Sequence, residues 1–257
     1  MPELELPIIL LVVVGGFVAG WVDAVVGGGG LIQLPVLLLV PGLAPVQALA
    51  TNKMGSIMGT SVAAYTYQRK IRTDLTTALP MAAAALLGAL GGAALAAQIP
   101  GEALRPIVVA ACALVFLWIV FRRASGLETV RRYPGRRHHV FAVLIGLVIG
   151  AYDGLLGPGT GTFLVIALVG VLGYAFMPAS AIAKIVNFAT NLGALIFFVP
   201  AGHVVWQLGL MVGAANMLGG FLGARTAVAR GSEFVRVVFL VVVAGLIVKL
   251  VWDMIAA

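Results

Sequence analysis

The sequence predicts an all-α integral membrane protein built from two repeats of inverted topology. Three observations support this prediction: an apolar composition, a series of hydrophobic segments, and a set of residues that recurs in the second half. Of the 257 residues, 62% are hydrophobic and 10% are charged, and the mean hydropathy is +1.13. A chain with so little polar surface needs lipid as its solvent, so no soluble domain is expected.

Ten hydrophobic segments are predicted to be helices, of which about eight to ten cross the membrane, since one crossing takes about 20 residues. The first five are residues 6–26, 31–40, 46–66, 75–97 and 104–121, and the second five are residues 139–156, 161–175, 179–199, 205–224 and 233–252. The second segment of each set is too short for an ordinary crossing. It either crosses fully or folds back near the midplane as a re-entrant hairpin. The first segment lacks a basic region before it, so we expect a retained helix and not a cleaved signal peptide.

Basic residues predict which loops are cytoplasmic, because Lys and Arg concentrate on that side of a membrane. The connector 122–138 holds six arginines, and basic residues also mark the loops after the third and ninth segments: Arg122, Arg123, Arg131, Arg132, Arg136 and Arg137, then Arg69, Lys70, Arg72, Arg225 and Arg230. The connector divides the chain into a first repeat, 1–121, and a second repeat, 139–257. Both termini are then expected outside a plasma membrane. The net charge of +7 is explained by topology, and no nucleic-acid partner is expected.

The internal repeat shows as identities at nearly constant spacing. Five residues of the first half recur 130 positions later, namely Gly16, Gly20, Asp23, Gly27 and Gly29 as Gly146, Gly150, Asp153, Gly157 and Gly159. At a shift of 131, Lys53 matches Lys184. Each half has an odd number of crossings, so the halves must lie in opposite orientations. This plan is common in secondary transporters, which bind substrate between the repeats near the midplane.

Four charges remain inside the predicted spans, and they form two pairs of repeat equivalents: Asp23 with Asp153, and Lys53 with Lys184. An ionisable group at membrane depth costs several kcal/mol, so it usually faces a partner or a water-filled cavity. The lysines are candidates for drawing in an anion. The aspartates could serve proton coupling or gating, cap helix ends, or pair with the lysines.

Glycine-rich tips lie beside these charges, between the first and second segments of each set. Glycine permits close backbone approach, and the helix that follows each tip offers free N–H groups and a partial positive charge to an anion. Polar residues at helical spacing follow on the third segment of each set, with Thr51, Thr60 and Thr190 among them. The candidate substrate-binding residues are Lys53, Lys184, Gly28, Gly29, Gly30, Asn52, Ser56, Gly159, Thr160, Gly161, Asn187 and Asn191.

Other singular residues are given structural roles. Gly88, Gly91, Gly220 and Gly223 are predicted to serve close helix packing, and Trp21, Trp118, Trp206 and Trp252 to anchor span ends at the interface. His138, His139 and His203 are expected to be solvated or interfacial. Cys112 stands alone, and no catalytic motif, cofactor motif or metal-ligand spacing is present in the sequence, so no enzyme, cofactor or metal is expected.

The motifs around these residues resemble the TauE/SafE family of membrane transporters. The resemblance rests on Asp23 with Gly27-Gly28-Gly29-Gly30 and Leu31-Ile32-Gln33-Leu34-Pro35, on Ala50-Thr51-Asn52-Lys53, on Tyr152-Asp153-Gly154 through Gly161, and on Lys184-Ile185-Val186-Asn187-Phe188 with Thr190-Asn191-Leu192-Gly193. It implies a bacterial or archaeal plasma-membrane carrier that exports sulfite or organosulfonates such as sulfoacetate. Pro158 stands where the first tip has a glycine, so the two halves are not equivalent at this point.

Three functions follow from these observations. The leading hypothesis is a secondary carrier that exports a small sulfur-containing anion by rocking or gating of the two repeats. The second is a carrier or channel for a cation or neutral solute, centred on Asp23 and Asp153. The third is a non-transporting membrane subunit that scaffolds a partner enzyme, which the paired charges disfavour. Faces rich in glycine and alanine leave room for a homodimer.

Overall fold

The computed structural model describes residues 5–104, 106, 107, 110 and 129–256, with the side chains of residues 232, 236 and 239–256 left out. The described chain is helical and contains no β-strand. The predicted helix 104–121 falls almost wholly outside the described residues, together with Cys112, Trp118, Arg122 and Arg123. The side chain of Trp252 lies outside them as well.

Eight helices form the described chain. They are α1 (Leu6–Val26), α2 (Gly30–Leu38), α3 (Pro45–Lys70), α4 (Leu75–Ala96), α5 (Arg136–Leu155), α6 (Thr160–Ala167), α7 (Phe176–Phe198) and α8 (Trp206–Ala256). A π-helical turn, Leu168–Leu172, continues α6. The two predicted helices 205–224 and 233–252 follow each other in α8, with a break at Gly231, where φ is 76°. Helix α5 begins three residues before its predicted start, so Arg136 and Arg137 belong to its first turn.

Five of these helices are long and apolar enough to cross a membrane: Leu6–Val26, Leu75–Ala96, Arg136–Leu155, Phe176–Phe198 and Trp206–Gly231. Helix α3 has 26 residues, about 39 Å, which is also long enough. It is less apolar because it carries buried polar side chains, including Thr51, Asn52 and Lys53. Its polarity therefore reflects what it faces inside the bundle.

Helices α1 and α2 form a hairpin, here called hairpin 1, whose open end lies at the start of α3. Ile9 of α1 and Val40, just after α2, line one cavity of about 300 Å³. Gln47 of α3 and Val205, just before α8, line the same cavity. The chain thus returns after α2 to the end of the bundle from which α1 started.

Helices α5 and α6, with the π-turn, form hairpin 2, whose open end lies at the other end of α3. Tyr174, just after the π-turn, donates a hydrogen bond of 2.6 Å to Asp74 in the loop between α3 and α4. The Tyr174 hydroxyl also lies 3.1 Å from Nε2 of His138, in the first turn of α5. The two hairpins therefore reach into the bundle from opposite ends.

Several side chains at the open end of hairpin 2 donate hydrogen bonds to the Asp74 carboxylate. Burial alone would raise the pKa of its carboxyl, but hydrogen bonds from Thr76, Tyr174 and Thr77 and the nearby guanidinium of Arg131 hold that pKa well below its usual range. The Arg131 guanidinium lies 2.7 Å from the carboxylate. The described part of the connector is thereby tied to the loop between α3 and α4.

His138 corrects one expectation from the sequence. Its side chain is buried, and Nε2 lies 3.0 Å from the Thr77 hydroxyl. A solvated side chain is therefore excluded for His138, because α5 extends further towards its N-terminus than the apolar pattern indicates. The first turn of that helix packs His138 against α4.

Small residues allow the helices to cross closely. A Cβ on Gly88 of α4 would lie 2.3 Å from the Leu147 carbonyl oxygen of α5, and one on Gly223 of α8 would lie 2.5 Å from the Trp21 carbonyl oxygen. A Cβ on Gly220 would lie 2.9 Å from the Gly59 carbonyl oxygen. The packing roles of these three glycines are confirmed. For Gly91 the described residues give no support to the prediction, because a Cβ there would meet none of their atoms within 4 Å.

A matched pair of substitutions in α4 tests this packing. Gly88→Ala forces its new methyl group into backbone, so we expect it to lower the stability of the folded protein by about 1–3 kcal/mol. Gly91→Ala meets none of the described residues and improves helix propensity, so it should leave stability equal or raise it by up to about 1 kcal/mol. Thermal unfolding of the detergent-solubilised protein measures both. Equal melting temperatures for the two variants would contradict the close crossing of α4 and α5.

Candidate functional site

A small cleft lies where the tips of the two hairpins meet. It holds about 20 Å³ of free volume, room for about one water molecule. Both tips contribute to its walls, together with polar side chains of α1, α3, α5 and α7. The residues that line it are Asp23, Gly27, Gly30, Asn52, Lys53, Ser56, Asp153, Gly157, Thr160, Gly161, Asn187 and Asn191.

The tips touch through backbone, and glycine makes this contact possible. Gly27 has φ of 85°, and a Cβ on it would lie 2.2 Å from the Gly161 carbonyl carbon. The backbone N–H of Thr162 donates to the Gly27 carbonyl oxygen at 3.1 Å, and its hydroxyl donates to the Val26 carbonyl oxygen at 3.1 Å. These bonds satisfy carbonyl groups at the end of α1 that the helix itself leaves free.

Two ion pairs flank the cleft, and each joins a residue of one half to a residue of the other. Lys53 Nζ lies 2.7 Å from Asp153 Oδ2, and Lys184 Nζ lies 2.8 Å from Asp23 Oδ2. Both lysines and Asp153 are buried, whereas the Asp23 side chain is 14% exposed. The four charges cancel, so the site carries no net charge when all are ionised.

Helical spacing places the polar side chains of α3 and α7 on the cleft. Lys53 and Ser56 lie three residues apart on α3, and both line the cleft. Asn187 and Asn191 lie four residues apart on α7, where the Asn191 side-chain amide donates to the Asn187 carbonyl oxygen at 2.9 Å. Thr51, Thr60 and Thr190 are buried near the same faces but are not among the lining residues.

Most of the residues predicted for the site are brought together. Ten of them line the cleft: Asp23, Gly30, Asn52, Lys53, Ser56, Asp153, Thr160, Gly161, Asn187 and Asn191. Gly28, Gly29 and Gly159 belong to the turns but do not line the cleft, and Lys184 lies behind Asp23. Gly27 and Gly157 line it and were not selected from the sequence, although both belong to the repeated glycine set.

A buried amide network behind the cleft was missed at the level of sequence. The Gln33 side-chain amide of α2 donates to the Asn52 carbonyl oxygen at 3.2 Å, and the Asn216 amide of α8 donates to Gln33 Oε1. The network binds the backbone oxygen of Asn52 and not its side chain. The side-chain oxygen Oδ1 of Asn52 has no hydrogen-bond partner among the described residues. Gln33 and Asn216 each stand alone in an apolar run of the sequence. Because a buried amide needs a hydrogen-bond partner, such isolated amides could have indicated the network.

The arrangement suits a small polar solute better than a metal. Amide, hydroxyl and ammonium groups converge on the cleft, and α2 and α6 begin beside it at Gly30 and Thr160. Helix N-termini and ammonium groups both favour negative charge. Among the described residues, no group of three or more His, Cys, Asp or Glu side chains is arranged to hold a metal ion.

The sequence of this chain is similar to those of known membrane transporters. The family model described as "Sulfite exporter TauE/SafE" matches residues 12–250. A "Probable membrane transporter protein ORF9" from Sinorhizobium sp is 33% identical over 253 residues, which cover 98% of this chain and 96% of that relative. A "Probable membrane transporter protein YfcA" from Escherichia coli (strain K12) is 32% identical over 91% of this chain and 86% of its own.

A further "Probable membrane transporter protein", from Haemophilus influenzae, is 32% identical over 93% of this chain and 92% of its own. No solved structure matches the chain significantly. The family match extends over both hairpins and the cleft between them. The chain is therefore a multi-pass membrane transporter that belongs to the TauE/SafE family.

Proposed function

We propose that this transporter exports a small sulfur-containing anion, sulfite or an organosulfonate such as sulfoacetate, through the cleft between the hairpin tips. The observation that carries the proposal is the presence of two buried lysines in ion pairs at the cleft, one from each half. The description of the matching family, which names a sulfite exporter, supports the choice of anion.

The two halves are proposed to be inverted repeats, with each hairpin entering the membrane from one side and turning back near the midplane. The opposite positions of the open ends, beside Val205 for hairpin 1 and beside Asp74 for hairpin 2, support this topology. Because Arg131 contacts Asp74, the connector and the loop between α3 and α4 share a side, which the basic residues assign to the cytoplasm. Both termini are then proposed to lie outside.

Anion binding requires a change at the ion pairs, because both lysines already contact a carboxylate. The anion takes the place of one carboxylate on a lysine, and the amides of Asn52, Asn187 and Asn191 replace part of the water that it sheds. The displaced carboxylate would leave an uncompensated negative charge at membrane depth. Proton uptake by that carboxylate removes this cost, so anion movement is proposed to be coupled to protons.

Flux in proteoliposomes tests the proposed substrate. We expect saturable, pH-gradient-dependent movement of sulfite or sulfoacetate by the wild type. Removing Lys184 alone would strand a buried carboxylate at a cost of about 3–5 kcal/mol, so the test uses the double variant Lys184→Gln with Asp23→Asn. This neutral pair should fold, yet lose about tenfold or more of the flux, because hydrogen bonds to charged groups are the strong ones.

The control makes the same double change in the Arg131–Asp74 ion pair, at the open end of hairpin 2. Arg131→Gln with Asp74→Asn removes an ion pair of 2.7 Å, against 2.8 Å for Lys184–Asp23, that lies outside the cleft. This variant should keep anion flux per folded molecule. Equal loss of flux in the two double variants would argue against an anion site at the cleft, and wild-type vesicles that move neither anion would refute the proposed substrate.

A cation or neutral-solute carrier is the second candidate, and one observation favours it. Asp23 lines the cleft in front of Lys184, so a carboxylate and not that lysine is the nearer group to an entering solute. In this case Asp23 and Asp153 bind the ion, and the lysines are their counter-charges.

Two single charge removals separate the candidates. If an anion is the substrate, Lys53→Gln should weaken sulfite binding more than Asp23→Asn, because it removes a positive charge from the cleft wall, whereas Asp23→Asn removes a negative one. If a cation is the substrate, Asp23→Asn should be the more harmful change, and vesicles should take up a monovalent cation. Flux is normalised to the folded fraction by size-exclusion chromatography, since both changes break a buried pair. Greater harm from Asp23→Asn, with cation uptake, would favour the second candidate.

A further inference from the structure

The two ion pairs at the cleft differ in their surroundings, and this difference deepens the proposed anion transport, on which the inference rests. We infer that Lys53–Asp153 is a fixed pair that holds the tip of hairpin 2. Lys184–Asp23 is the pair that parts during transport, so that Lys184 is the lysine that contacts the anion.

Asp153 is held through both carboxylate oxygens. Lys53 Nζ lies 2.7 Å from Oδ2, and the Thr160 hydroxyl donates to Oδ1 at 2.5 Å. The Asp153 side chain is 2% exposed. An incoming anion would have to displace a carboxylate that keeps a second bond within its own hairpin, so release of Lys53 is disfavoured.

Asp23 is held through Lys184 alone among the described residues. Lys184 Nζ donates to Asp23 Oδ2 at 2.8 Å and also to the Asp23 carbonyl oxygen. In the register of 130 residues, the position of Thr160 corresponds to Gly30, which has no hydroxyl to bind the carboxylate. Since Asp23 is 14% exposed and lines the cleft, one of its oxygens is open to solute or proton.

The tip of hairpin 2 is also more firmly held by its own side chains than the tip of hairpin 1. The Tyr152 hydroxyl donates to the Pro158 carbonyl oxygen at 2.7 Å, and the Thr160 hydroxyl, by donating to Asp153, ties the start of α6 back to α5. Pro158 also restricts its own backbone. The first tip consists of Gly27 to Gly30, which provide no side chain for such bonds. Hairpin 2 therefore cross-links its own tip, whereas hairpin 1 relies on neighbours.

Protonation of Asp23 allows its carboxyl group to separate from Lys184. Lys184 of α7 contacts Asp23 directly, and Lys53 of α3 is close enough to interact with Asp23 electrostatically. Tyr67 of α3 faces the same end of α1, where its hydroxyl donates a hydrogen bond of 2.9 Å to the Ala24 carbonyl oxygen. A neutral Asp23 no longer attracts Lys184. The ammonium group of Lys184 keeps its bond to the Asp23 carbonyl oxygen and exchanges the carboxylate for an anion, so that a proton crosses together with the anion.

Labelling with a hydrophobic carbodiimide tests this inference in the full-length protein. The reagent modifies protonated carboxyl groups in apolar surroundings, and mass spectrometry locates the adduct. We expect Asp23 to react about fivefold or more faster than Asp153, because Asp153 has the Thr160 hydroxyl as a second polar partner besides its lysine. Sulfite, compared with chloride at equal ionic strength and pH, should accelerate the labelling of Asp23 by parting it from Lys184.

A matched pair of variants on α6 tests the role of Thr160. Thr160→Val removes the hydroxyl that binds Asp153, so labelling of Asp153 should rise towards that of Asp23. Thr162→Val makes the same change two residues away, where the hydroxyl binds the Val26 carbonyl oxygen, and it should leave Asp153 as slow as in the wild type.

Each outcome decides the inference. Equal labelling of the two aspartates, or labelling of neither, contradicts the division of roles whether or not the protein moves sulfite. Faster labelling of Asp23 that sulfite does not change contradicts the contact between Lys184 and the anion. Preferential labelling of Asp23 in a protein that moves no anion separates the two claims, because the asymmetry of the pairs then stands while the proposed substrate fails.

Discussion

An ionised side chain inside a bilayer needs an opposite charge beside it, because lipid offers no water to solvate it. In this chain two lysines and two aspartates meet that requirement across the halves, Lys53 with Asp153 and Lys184 with Asp23. Separating either pair exposes buried charge at a cost of several kcal/mol unless something else neutralises it. The halves are therefore locked together at the point where the hairpin tips meet, and a solute or proton that neutralises one charge can release them.

The rest of the fold brings these four groups to one place. Glycine at the tips lets Gly27 and Gly161 approach through backbone, and glycine at the helix crossings lets α4 approach α5 and α1 approach α8. The open end of hairpin 1 lies beside an apolar cavity, whereas that of hairpin 2 is closed by the buried hydrogen bonds of Asp74, Tyr174 and His138. The open ends of the two hairpins thus differ in how they are held.

Much of the site could be predicted from the sequence, because charges in apolar segments are costly and repeat equivalents identify one another. Asp23 and Lys53 were found in this way. The exchange of partners between halves could not be predicted, since the sequence does not indicate which lysine each aspartate contacts. Asn216 was missed because one amide in an apolar run has no periodic pattern. Gly92 packs closely against α5, since its Cβ would lie 2.1 Å from the Ala151 carbonyl oxygen, but the sequence analysis selected its neighbour Gly91 instead. The sequence does not indicate which of two adjacent glycines faces a neighbouring helix, because the rotation of a helix about its axis depends on tertiary contacts.

The central claim is that a small anion binds at the tips by replacing a carboxylate in a buried ion pair. An experimental structure of the protein in lipid, determined with and without sulfite, tests this claim most directly. The account predicts density for the anion within hydrogen-bond distance of the Lys184 ammonium, with Asp23 displaced from it and Lys53 still paired with Asp153. Density for the anion elsewhere, with both ion pairs intact in the bound state, would contradict it.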